Sequence, residues 1–196
     1  MNFKFPDSYK ANRPKPFQWL GKILIKLSGW KIKGQISDLY ENKKFVAIVA
    51  PHTSNWDAVV GLAAIAAVDL KVYFIGKHTV FTGILGKFMK YMGGIPVDRS
   101  KPGGLIKDLL RQVEDKKNGL IGLAPEGTRS KVGEWKTGFL RIAKELNSGV
   151  VLVSLDFFKK ELVFGKEFMP TGDDRQDILN IKEYYNAFTP KNPANF

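Results

Sequence analysis

Phe45-Val46-Ala47-Ile48-Val49-Ala50 is an unbroken apolar run, and Pro51-His52-Thr53-Ser54-Asn55-Trp56-Asp57 follows it directly, ahead of the apolar stretch Ala58–Val68. A short continuous apolar run that ends at a proline reads as a strand buried on both faces. Asn55–Val68 reads as a helix that is apolar almost all round. The same alternation continues along the chain. Strands are expected at Lys71–Ile75, Gly94–Val97, Gly119–Ala124, Val150–Phe157 and Glu161–Phe164. Helices are expected at Val80–Met92, Leu105–Lys117, Gly138–Asn147 and Gln176–Phe188. Strands alternating with helices of this length predict a single α/β domain with a mostly parallel central sheet flanked by helices. The 196 residues suit one such domain. The expected organisation is a basic amphipathic segment at 1–34, the main domain at 35–188 and an unpacked tail at 189–196.

Several function classes fall away on composition. There is no cysteine, which excludes disulfide frameworks, thiol nucleophiles, iron–sulfur clusters and thiolate zinc sites. His52 and His78 are the only histidines, too few for a histidine-rich metal centre. The chain has no G-x-S-x-G elbow, no Walker A loop and no G-x-G-x-x-G.

The charge is +12, from 31 Lys and Arg against 19 Asp and Glu, and residues 1–50 hold ten basic but only three acidic side chains. A basic front end suits a polyanionic partner, either an anionic membrane face or nucleic acid. No aromatic-stacking motif or recognition-helix pattern supports nucleic acid. The segment 1–16 is polar and broken by Pro6, Pro14 and Pro16, with no signal-peptide core. The longest apolar run, Ala58–Val68, is far shorter than the ~20 residues of a spanning helix. The expectation is a peripheral protein on the cytoplasmic face of a membrane.

Phe17–Trp30 carries that expectation. Leu20, Ile23, Leu24 and Leu27 recur at helical spacing, Lys15, Lys22, Lys26 and Lys33 gather on another face, and Trp19 and Trp30 stand near the ends. An apolar stripe, a lysine face and boundary indoles suit a helix lying in the membrane surface. The same pattern also suits an ordinary amphipathic helix packed on the core.

Three polar clusters follow expected strands, at the edge where open α/β sheets bind ligands. The first is His52–Asp57. Five residues apart on a regular helix they would lie ~140° from each other. With His52 in the turn and Ser54 or Asn55 capping the helix, Asp57 in the first turn can fold back to the imidazole. A carboxylate on one ring nitrogen orients the ring and leaves the other nitrogen as a general base. The second cluster is Gly93-Gly94-Ile95-Pro96-Val97-Asp98-Arg99-Ser100, whose arginine offers a fork for phosphate. The third is Ala124-Pro125-Glu126-Gly127-Thr128-Arg129-Ser130, which sets an arginine, two hydroxyls and a glycine backbone together.

PHTSNWD, GGIPVDRS and APEGTRS, in this order and spacing, resemble the glycerolipid acyltransferases of the 1-acyl-sn-glycerol-3-phosphate acyltransferase (lysophosphatidate acyltransferase) type, over about residues 45–157. Trp135-Lys136-Thr137-Gly138-Phe139 is similar to the family's Lys-x-Gly stretch. The resemblance implies that His52 is the base and Asp57 its partner. It also implies that Arg99, Glu126, Gly127, Thr128 and Arg129 hold the acceptor phosphate, with Lys77 as a looser match. Proline stands before His52 where many members have asparagine, and Ala124 replaces a common aromatic. The implied reaction carries an acyl group from acyl-CoA or acyl carrier protein to a lysophospholipid hydroxyl. The main-chain N–H groups at the start of the helix would face the oxyanion, Ser54 would be a helix cap, and no metal or other cofactor is implied. A non-catalytic lipid-binding protein on the same fold is the alternative.

Overall fold

The computed structural model describes residues 2–98 and 104–196. One eight-stranded sheet runs through it in the order β1-β2-β8-β7-β3-β6-β4-β5. These strands are β1 (Asn2–Lys4), β2 (Lys31–Gln35), β3 (Lys44–Ala50), β4 (Val72–Lys77), β5 (Gly94–Val97), β6 (Gly119–Leu123), β7 (Val150–Asp156) and β8 (Glu161–Phe168). Every neighbouring pair is parallel except β7 with β8, so the sheet is mostly parallel, as the alternation of strands and helices predicts.

β3 lies in the middle because its side chains are apolar on both faces. Phe45 and Ala47 join a core with Val60, Ala64 and Ala67 of α2 (Asn55–Val68). Val46, Ile48 and Ala50 join a second core on the opposite face. That core includes Leu109 of α4 (Leu105–Val113), Phe139 and Ile142 of α5 (Gly138–Glu145), and Ile181 and Tyr185 of α6 (Asp174–Tyr185). Burying both faces of a parallel sheet requires helices on each side, and the two cores supply them.

β1 and β2 escape a sequence pattern search. Lys31-Ile32-Lys33-Gly34-Gln35 has one fully buried side chain, Ile32, and otherwise reads as polar. It becomes a strand by pairing with β8. Residues 2–4 and 31–35 are therefore strands of the common sheet, and the boundary expected after residue 34 falls inside β2.

α1 (Lys15–Leu27) packs on α2 through Gln18, Gly21 and Ile25. A Cβ built on Gly21 would lie 2.5 Å from the Ala67 nitrogen, so the two backbones approach as only glycine permits. Leu20, Ile23, Leu24 and Leu27, the apolar stripe, are all exposed instead of turned to the core, with Trp19 beside them. Two members of the expected pattern lie elsewhere. Lys33 belongs to β2 and pairs with Glu161 at 2.5 Å. Trp30 is buried, edge-on to Phe157 at 4.9 Å, because the chain has already turned into the sheet.

The expected Val80–Met92 helix is shorter. Residues 78–80 form a separate turn of 3-10 helix, and α3 spans Gly83–Tyr91. It lies beside α1, with Phe17 5.5 Å from Tyr91 edge-to-face. Residues 189–196 are packed, contrary to expectation. The Phe157 N–H donates to the Thr189 carbonyl at 2.8 Å, and Phe196 lies against Trp135.

Candidate active site

Parallel strands bring their carboxyl ends to one edge of the sheet, and the described candidate residues follow the ends of β3, β4 and β6 there. β3 hands over through a cis Ala50–Pro51 peptide to the turn 52–54, and Ser54 starts α2. The cap is reciprocal. The Ser54 hydroxyl accepts from the Trp56 N–H at 3.2 Å, while the Asp57 carboxylate accepts from the Ser54 N–H at 2.8 Å and the Thr53 N–H at 2.7 Å.

This capping geometry turns Asp57 back over the loop. Its Oδ2 stands 3.1 Å from Nδ1 of His52. The carboxylate is almost fully enclosed at 1% side-chain exposure, whereas the imidazole is 23% exposed. Asp57 is thus fixed by two main-chain donors before it meets the ring, and Nε2 is the ring nitrogen left for another partner.

Glu126 approaches from the loop after β6. Its Oε1 accepts from the His52 main-chain N–H at 2.9 Å, and its Oε2 has no hydrogen-bond partner among the described residues. The residue is 4% exposed. Burial, opposed by the His52 N–H bond, raises the carboxyl pKa above the usual value of 4.5. The resemblance groups Glu126 with the phosphate contacts. In the structure its Oε1 is engaged by the His52 backbone. Gly127, next along, has φ +67, which lets the loop turn sharply after Glu126.

Arg129 is exposed, and its Nη1 donates to the Asn55 Oδ1 on the first turn of α2. The guanidinium therefore lies beside the helix start that follows His52. The Thr128 Oγ1 accepts a long 3.4 Å bond from the Ser130 N–H within the same exposed loop. Lys77 ends β4 in register with Val97 of β5 and is exposed. Among the described residues its side chain makes no ion pair or hydrogen bond, so it stays at the edge without joining the His52–Asp57 pair. Arg99 lies outside the described residues.

The expectation about oxyanion donors changes. The N–H groups of His52, Thr53, Ser54, Trp56 and Asp57 all have acceptors inside the protein. Asn55 carries the one main-chain donor in this turn without a protein acceptor among the described residues. Two further contacts carry no sequence signal because they span the chain. Thr53 receives bonds from Asn192 and Asn195. Tyr185, fully buried with its phenol pKa pushed well up by desolvation, donates to the Ile48 carbonyl at 2.8 Å beneath the end of β3.

The sequence profile described as Acyltransferase matches residues 31–156. The chain belongs to the acyltransferase family. The matched span of this acyltransferase starts with β2 and ends with β7, so it takes in all three loops and leaves α1, β8 and α6 outside. No curated protein matches the chain. Among solved structures, it is similar to the crystal structure of the 1-acyl-sn-glycerophosphate (LPA) acyltransferase PlsC from Thermotoga maritima. That likeness has a TM-score of 0.58 at 17% identity and covers 90% of this chain and 81% of the other. At that identity it is a likeness of fold. Among the described residues no group of His, Asp and Glu could hold a metal ion, and no helix is long and apolar enough to cross a membrane.

Proposed function

We propose that this acyltransferase moves a fatty acyl group from an acyl thioester, on coenzyme A or acyl carrier protein, to the free hydroxyl of a lysophospholipid, with 1-acyl-sn-glycerol-3-phosphate as the acceptor and phosphatidic acid as the product. The observation that carries this reading is the His52–Asp57 pair: an imidazole at the sheet edge whose Nδ1 is held by an enclosed carboxylate at 3.1 Å.

In the proposed reaction Nε2 of His52 takes the acceptor hydroxyl's proton as its oxygen attacks the thioester carbonyl. The C–O bond forms, a tetrahedral oxyanion develops, and the C–S bond then breaks. His52 returns the proton to the leaving thiolate. Asp57 stabilises the imidazolium through Nδ1, and Glu126 fixes the backbone that carries the ring. General base action of this kind contributes typically 10²–10⁴-fold. The Asn55 N–H is the main-chain donor available to the oxyanion. Arg129 beside it, with Arg99 and Lys77 as further basic candidates, gives the acceptor phosphate a cationic partner, and Thr128 a hydroxyl. These groups act by positioning. Ser54 is occupied as a cap and takes no covalent part, and the scheme uses no resident cofactor.

The acceptor lives in a bilayer, and the α1 surface suits one. Trp19, Leu20, Ile23, Leu24 and Leu27 are exposed on α1, and Ile84 and Leu85 on neighbouring α3. Lys15, Lys22 and Lys26 are exposed around them. Apolar side chains ringed by lysines favour peripheral attachment to an anionic membrane surface, which we assign to the cytoplasmic face. The test is the purified protein with acyl-CoA, and separately acyl carrier protein, against a panel of lysophospholipids. Transfer to lysophosphatidate above other headgroups is expected. Binding of anionic vesicles with no transfer to any acceptor would point to a lipid-binding protein instead.

A further inference from the structure

Thr53 follows the candidate base directly in sequence and is 2% exposed. Each of its main-chain and side-chain polar groups is engaged, one by a neighbour in the same turn and the others by a segment far along the chain. Its N–H donates to the Asp57 carboxylate at 2.7 Å. Its Oγ1 accepts from the Asn192 main-chain N–H at 3.1 Å. Its carbonyl accepts from the Asn192 side-chain amide at 3.0 Å and, at a longer 3.4 Å, from the Asn195 amide.

The segment that reaches Thr53 is itself anchored on both sides of the contact. Before it, the Thr189 carbonyl accepts from the Phe157 N–H at 2.8 Å, and the Lys191 ammonium lies 5.8 Å from the Phe157 ring centre. After it, residues 193–195 form a turn of 3-10 helix, and Phe196 lies 6.4 Å from Trp135, which in turn packs 5.7 Å from Tyr185. The strap therefore runs from the end of β7 to the loop before α5 and crosses the turn 52–54 between them.

The geometry points to Asn192 as a positioning residue for acyl transfer: by holding the Thr53 peptide it keeps Asp57 on Nδ1 of His52. The inference rests on the reading of His52 as the base. The chemical reason is that Asp57 is oriented by the Thr53 and Ser54 N–H groups, and a peptide free to rotate at Thr53 withdraws one of those donors. Asn192 also supplies what a hydrophobic clamp could not, a donor for the carbonyl and a second donor for the hydroxyl of one residue. Small losses of alignment at a reacting group are costly in rate while leaving substrate binding in place.

The test uses the full chain and two readouts. Asn192→Asp replaces the amide donor by a carboxylate facing the Thr53 carbonyl, and Thr53→Val removes the hydroxyl acceptor at constant shape. With a long-chain acyl-CoA and lysophosphatidate, both variants are expected to lose about tenfold in kcat with little change in either KM. Thr53→Ser, which keeps the hydroxyl, should retain turnover. The second readout is the carbon chemical shifts of the His52 imidazole, which report the ring tautomer and do not depend on activity. The wild type is expected in the Nδ1–H form, and Asn192→Asp as a mixture. If the wild type transfers no acyl group, the acyltransferase reading fails, while the imidazole shifts still decide whether the strap sets the ring. If Asn192→Asp does not fold, Thr53→Val carries the same comparison. Wild-type kcat together with an unchanged imidazole spectrum in the folded variant would overturn the inference.

Discussion

Oε1 of Glu126 accepts a hydrogen bond from the main-chain N–H of His52 at 2.9 Å, tying the loop after β6 to the turn after β3. His52 is thereby fixed at its backbone by one carboxyl and at its ring by another, Asp57 at 3.1 Å. The two acids differ in what they hold. Asp57 gathers two main-chain donors and the ring on Oδ2, whereas Glu126 accepts one main-chain donor on Oε1, and each leaves its other oxygen buried and unpartnered among the described residues.

That difference gives a pH signature. Burial raises the Glu126 carboxyl above its ordinary 4.5, so the folded protein binds this proton more tightly than the unfolded chain. Its contribution to stability is complete below the unfolded value and is lost as pH rises through the raised folded value. Glu126→Gln keeps an oxygen acceptor for the His52 N–H and does not titrate. Its melting temperature relative to wild type should therefore climb as pH rises above the ordinary carboxyl value of 4.5. A difference that stays flat, or falls, above that value would contradict a raised carboxyl.

Gly21 should resist replacement. A Cβ there would lie 2.5 Å from the Ala67 nitrogen and 2.9 Å from the Ala66 Cβ, both parts of packed α2. Alanine recovers about 1 kcal/mol of helix propensity, but overpacking against backbone costs about 1–3 kcal/mol. Gly21→Ala should lower stability in urea by up to about 2 kcal/mol. A stabilised variant would mean that α1 and α2 are not so close.

The outward stripe of α1 separates surface from core. Leu20 and Leu24 are 53% and 49% exposed, so Leu20→Asp with Leu24→Asp should leave the melting temperature nearly unchanged and weaken co-sedimentation with anionic vesicles. Lys22→Glu with Lys26→Glu should weaken it too, most strongly at low salt, at about 1 kcal/mol per lysine. Unfolding of the leucine double variant would place the stripe in the core. Unaltered vesicle binding in both pairs would remove the membrane role.

Arg129 should act on the acceptor. Its guanidinium is exposed beside Asn55, and charge-assisted contacts to phosphate are worth about 1.5–3 kcal/mol. Arg129→Ala should raise the lysophosphatidate KM by about tens-fold, with the thioester KM little changed. The opposite split would assign the arginine to the donor.

Much of this architecture is legible locally. The apolar run 45–50 fixes a central strand because no polar residue offers it a solvent face. The return of Asp57 to His52 follows from Ser54 as cap, since residue N3 of a capping box points back over the turn. What escapes local reading depends on partners far along the chain. Lys31–Gln35 is a strand because β8 is beside it, and Trp30 is buried because Phe157 covers it. Glu126 carries the same sequence signal whether it faces a phosphate or a backbone N–H, and only the spacing of β3 and β6 in the sheet decides. The polar segment 189–196 looks loose because its anchors, Thr53, Phe157 and Trp135, are distant in sequence.

The general-base role of His52 is tested most directly by the acyl-transfer rate of His52→Ala, measured on folded protein with saturating acyl thioester and lysophosphatidate. The imidazole lies in a turn, 23% exposed, and its removal should leave the melting temperature close to wild type. The rate is expected to fall by about 10²–10⁴-fold. Turnover at the wild-type rate in the folded variant would contradict the assignment of His52 as the base.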